Sequence, residues 1–172
     1  AITGALHLDG LGDIADAAGV AHANRERLSA VLADPHIGSF GVTAIALQLL
    51  AKLVLLDALL TREPQWPLAL VLIPAVARLG PLVWTLTLPP LHEGLGSRFH
   101  EGAAWWQVAA WGIAFALALP TLPAFVIALA AFPLWGLWLR KRIGGLSGDG
   151  HGAGTELVES ALDFDPPSVP VL

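Results

Sequence analysis

The chain has 172 residues, 55% apolar and only 13% charged, with a mean hydropathy of +0.67. Water-soluble globular domains carry about 25% charged residues, so this composition points to a bilayer as part of the solvent. The absence of Cys excludes disulfide frameworks, thiolate zinc sites and cysteine nucleophiles, and a net charge of −5 without a basic stripe argues against nucleic acid as a partner. Beginning at Ala1 and lacking Met, the sequence is expected to be trimmed or N-terminally incomplete.

Residues 7–19 read HLDGLGDIADAAG. Asp9, Asp13 and Asp16 are spaced four and three apart, which on a helix confines them to an arc of about 60°. At a membrane boundary, with an effective dielectric near 20 and about 6 Å between charges, each repulsion reaches roughly 3 kcal/mol. Such a cluster takes up protons or recruits a cation, and hard oxygen donors favour Mg²⁺, Mn²⁺ or Ca²⁺ over zinc or copper. The competing reading is a solvated acidic face, and the lack of interleaved Lys or Arg counts against it. His7 is either structural or an acid/base group beside the cluster. An amphipathic stretch with Arg25, Glu26 and Arg27 follows, then VLADPHIGSFG over 31–41, where Asp34 before Pro35 predicts a turn. Asp34 and His36 there either bend the chain or reach the acidic site.

Residues 42–61 carry two charges, Lys52 and Asp57, and are long enough to cross a hydrocarbon core of roughly 30 Å. Residues 66–91 form a second span with Arg78 as its one charge and Pro74 and Pro81 as kinks. The uncharged run 103–139 divides at 120–123 into two more, 103–119 and 124–139. Most of the seven Trp lie towards span ends, as an interfacial belt would place them. Arg25, Arg27, Arg98, Arg140, Lys141 and Arg142 fall on one set of connections and Arg62 alone on the other, which makes the first set cytoplasmic. The expected fold is therefore all-α, a polytopic transmembrane helical bundle with its acidic motifs on the cytoplasmic face, in one domain over 1–172 with a non-helical tail from about 163. Lys52 pairs with Asp57 if it pairs locally, although five residues is poor spacing; Arg78 has no local partner and is expected to line a polar cavity.

Residues 144–154 hold six glycines with Ser147, Asp149 and His151, and lead into a short helical pattern with Glu156 and Glu159. A glycine-lined loop around Gly148 at a helix N-terminus suits a phosphate, and Asp149 brings a fourth carboxylate to the same side. A plain glycine-rich linker is the alternative.

TGALHLDGLGDIADAAG at 3–19, VLADPHIGSFGV at 31–42 and GGLSGDGHGA at 144–153 resemble the cobalamin synthase family, whose runs read approximately TGGLHLDGLADTADG, IMKDPRIGTFGV and GGLTGDTLGA. The resemblance implies a polytopic membrane enzyme that joins adenosylcobinamide-GDP to α-ribazole or its 5′-phosphate and releases GMP, with Mg²⁺ as cofactor. It implies Asp9, Asp13, Asp16, Asp34 and Asp149 as functional carboxylates. The family's further N-terminal hydrophobic portion is not in this chain, and Ala33 replaces a Lys of its second motif. In this reading Asp9, Asp13 and Asp149 hold the metal, and Asp16 or His7 takes the proton of the attacking hydroxyl. Arg78, Arg98, Asp34 and Gly148 contact substrate. Beyond the two substrates the expected partner is the lipid bilayer, and a homo-oligomer is compatible with the sequence. Two rivals are a CDP-alcohol phosphotransferase, whose Asp spacing is longer, and a cation or proton transporter, whose acidic residues would be spread through the spans.

Overall fold

The structure, a computed structural model, describes residues 5–20, 25–62, 66–91, 102–118 and 125–163. In chain order the helices are α1 (Leu6–Val20), α2 (Arg25–Leu32), α3 (Ser39–Arg62), α4 (Trp66–Ala77), α5 (Leu79–Thr87), α6 (Trp105–Ala118), α7 (Val126–Arg142) and α8 (Gly148–Asp163). No strand occurs among the described residues; a single parallel bridge joins Pro90 to Leu146.

The expected second span is broken at Arg78 into α4 and α5, because Pro81 withholds the amide that would bond to the Ala77 carbonyl. Ser39–Thr61 and Trp66–Thr87 are each long and apolar enough to cross a membrane. α3 exposes Phe40, Val42, Leu47, Leu50, Leu53 and Val54. The run 103–139 forms two helices, α6 and α7, as its prolines predict. Trp66, Trp105, Trp106 and Trp111 are exposed, but Trp84 is fully buried and donates its indole N–H to the Phe132 carbonyl at 2.8 Å, so it is a core residue and no part of a belt.

The largest departure concerns residues 144–162. The glycine-rich segment is a helix from Gly148 onward, and α8 is the centre of the fold, packed against α1, α3, α4, α5 and α7. Ser147 caps it, its hydroxyl accepting from the Gly150 amide at 3.1 Å. Each interior glycine weakens a helix by about 1 kcal/mol relative to Ala. Here each one admits a different neighbour: Gly150 faces Leu139, Gly152 the His7 backbone, and Gly154 the rings of Trp84 and Trp135. The turn before α8 needs Gly144, whose φ is 102°.

Ala5, immediately before α1, has a φ of 58°. The left-handed conformation costs an L-residue about 1–2 kcal/mol, and the family run quoted above has Gly at this place. Ala5→Gly is expected to stabilise the fold by about 1 kcal/mol, read as a rise of about 2–4 °C in thermal midpoint in detergent.

Candidate active site

α1 and α8 run antiparallel at unusually close range. A Cβ on Gly10 would lie 2.8 Å from the Asp149 Cα, and one on Gly152 would lie 3.0 Å from the His7 Cα. Glycine at these two contacts lets two backbones meet where any side chain would hold them apart. Asp149, in the first turn of α8, thereby comes to the α1 surface that carries Asp9 and Asp13.

The electrostatics follow from this placement. The Asp13 carboxyl is pushed up to about 6, first by burial and then by the charges of Asp149, Asp9 and Asp16. Four carboxylates from both ends of the chain therefore share one electrostatic neighbourhood. Among the described residues, however, no three His, Asp or Glu side chains gather into a set that could hold a metal ion. The donor set still fits a hard divalent cation, since Mg²⁺ takes one or two carboxylates and completes its shell with water and phosphate oxygens.

Because the folded-state value of Asp13 lies above its ordinary 3.8, ionising it opposes folding. In protein without divalent cations this destabilisation is absent below about pH 4 and complete above about pH 6. Asp149→Asn removes the largest of the charge contributions, so the Asp13 midpoint, followed by carboxyl ¹³C shifts, is expected to move down from about 6.

The other expected site residues have different placements. Asp16 points at the start of α3, accepting from the Gly38 amide at 2.6 Å and the Gly41 amide at 2.9 Å. These are N-cap and third-position amides of α3, so Asp16 caps a helix from outside it. A side chain at Gly38 or Gly41 would strike this carboxylate. Each Asp16 oxygen thus accepts one α3 amide. His7 lies about 120–180° around α1 from the three aspartates. Its Nδ1 is 3.9 Å from Glu156 Oε1, so it faces α8 and not the acidic surface.

Asp34 closes its own turn, accepting from the His36 amide at 3.0 Å and lying 2.7 Å from His36 Nδ1. These contacts hold its carboxyl below the usual range, and the loop is exposed. Asp34 therefore holds the bend at Pro35. Gly148 begins α8 with open space where a side chain would be. Arg98 lies outside the described residues.

Arg78 donates to Glu159 Oε1 and to the Pro74 carbonyl, both at 2.8 Å. Lys52 pairs not with Asp57 but with Glu156 at 2.5 Å and Glu159 at 2.8 Å. Gln48 adds bonds to the Glu156 carbonyl and to Ser160 Oγ, both at 2.9 Å. This network escaped sequence reasoning, although two orphan cations in apolar helices and two glutamates three residues apart were a balanced set of charges.

The sequence matches the cobalamin-5-phosphate synthase family over residues 1–163. The chain belongs to this family. Proteins named adenosylcobinamide-GDP ribazoletransferase are 56% identical over 161 residues in Novosphingobium aromaticivorans and 53% identical over 162 residues in Thiobacillus denitrificans. A third, from Laribacter hongkongensis, is 50% identical over 165 residues. These alignments take in 93–94% of the chain but 64–66% of the relatives, so the chain spans just under two thirds of their length. No solved structure matches it.

Proposed function

We propose that the chain is the aspartate-bearing membrane portion of an adenosylcobinamide-GDP ribazoletransferase, which joins adenosylcobinamide-GDP to α-ribazole or its 5′-phosphate and releases GMP. The observation that carries the reading is the approach of Asp149 to the Asp9 and Asp13 face, in a chain about half identical to proteins of that name. An alcohol displaces a nucleoside monophosphate from a diphosphate. Phosphoryl transfer of this kind depends on positioning and charge neutralisation more than on a protein nucleophile or a strong base.

One or two of Asp9, Asp13 and Asp149 would hold Mg²⁺, with water and phosphate oxygens completing its shell. The bound ion would neutralise diphosphate oxygens as charge moves to the leaving GMP. The residues of the chain itself do the rest. The mutual repulsion of the carboxylates makes cation binding favourable, Gly148 leaves room for a phosphate at the positive end of the α8 dipole, and Asp16 holds α3 against α1. The two apolar helices support a multi-pass membrane setting. The basic end of α7, Arg140 to Arg142, supports a cytoplasmic side for the α8 start that follows it.

The test is product identity in the full-length protein, reconstituted in lipid with Mg²⁺. GMP should form from adenosylcobinamide-GDP and α-ribazole, and no CMP from a CDP-alcohol with the same acceptor. CMP release without GMP would replace this reading by the CDP-alcohol alternative.

A further inference from the structure

The first two turns of α8 carry glycine at 148, 150, 152 and 154. This half packs closely and is tied to its neighbours by Trp135 Nε1, which donates to the Gly150 carbonyl at 3.0 Å, and by Thr85 Oγ1, 2.9 Å from His151 Nε2. The second half of α8 is different. Glu156 and Glu159 take Lys52 between them, Arg78 holds Glu159 from the break between α4 and α5, and buried Gln48 reaches the Glu156 carbonyl and Ser160. The donors all come from the two membrane-length helical segments and the acceptors all from α8. Gln48 and Lys52 are one turn apart on α3, as are Glu156 and Ser160 on α8, so the attachment is made at two levels.

These bonds are directional, and a slip of one residue, about 1.5 Å and 100°, would break every one of them. Asp149 stands seven residues before Glu156, about 10 Å along the axis and within about 20° on the same face. Whatever fixes Glu156 therefore fixes Asp149. We infer that Gln48, Lys52 and Arg78 are positioning residues, which by holding Glu156 and Glu159 set the register of α8 jointly with the Trp135 and Thr85 bonds to its first half, and hence the place of Asp149 against Gly10 and Asp13. The consequence for a metal site rests on the function proposed above; the register itself does not.

These 172 residues contain no Cys, so once any Cys elsewhere in the full-length protein is replaced, Leu6→Cys and Gly148→Cys, both at exposed positions, take the two spin labels, and Mn²⁺ binding is read separately in unlabelled protein that keeps Gly148. In the full-length protein in lipid, electron–electron resonance should give one narrow distance for the otherwise native sequence. Lys52→Met should shift or split that distance and weaken Mn²⁺ binding at least tenfold, and Lys52→Arg should restore both. Should Lys52→Met fail to fold, the charge-neutral pair Lys52→Gln with Glu159→Gln, and Arg78→Gln alone, put the same question. An unaltered distance in these variants, with only a lower thermal midpoint, would overturn the inference and leave the network as simple packing. A shifted distance with no Mn²⁺ bound even to the native sequence would uphold the register and sink the metal reading.

Discussion

On the function proposed above, Asp13→Asn in the full-length protein is expected to lower GMP release by about 100- to 1000-fold, the size of loss that follows removal of one preorganised oxyanion-hole donor. Asp13 stands where the fields of Asp149, Asp9 and Asp16 converge, and its own burial adds to their effect. Asn keeps the shape and removes the charge, so the fold should persist, and the metal-free protein should lose the pH dependence between about 4 and 6 that Asp13 produces. Asp34→Asn is the matched control. That carboxylate is exposed and occupied by His36, so its loss should loosen a turn and leave the rate within a few-fold of wild type. Equal losses at both positions would mean that the acidic surface of α1 has no special part in the chemistry.

The aspartates of α1 were legible because their spacing of four and three is a local property, which the helix converts directly into a common face. The lengths of the first two spans were legible for the same reason, and Pro81 marks the break that divides the second of them. What sequence could not supply were partners distant in the chain. Asp16 looks like a third member of the acidic set, yet its oxygens serve amides 22 and 25 residues away. Lys52 has a carboxylate five residues ahead and pairs instead with two that are more than a hundred residues off. The glycines of α8 read as loop because in isolation they disfavour helix; what reverses that preference is close approach by α1, Leu139 and two indoles, none of which a local window contains. His7 is near the aspartates in sequence, yet 100° per residue sets it on another side of the helix, towards α8.

Gly10→Ala tests the close approach on which the site depends, and it is expected to destabilise the protein by about 1–2 kcal/mol and to suppress GMP release with it. The added methyl would sit 2.8 Å from the Asp149 Cα and 2.9 Å from its carbonyl oxygen, against about 3.4 Å for ordinary contact. Both obstructing atoms are backbone, so no side chain can swing aside; α1 and α8 must part by several tenths of an ångström, at the level of the aspartates. Overpacking of this kind costs about 1–3 kcal/mol, and the helix propensity gained from Ala offsets at most about 1 kcal/mol of it. Gly19→Ala, nine residues along the same helix, isolates the propensity term. Its methyl would meet the Phe40 ring at 2.7 Å, but that ring is 60% exposed and can rotate away, so stability should hold or rise by up to about 1 kcal/mol with activity retained. If both alanines behaved alike in thermal unfolding and in the GMP assay, the contact between Gly10 and Asp149 would not be what brings the fourth carboxylate to the other three.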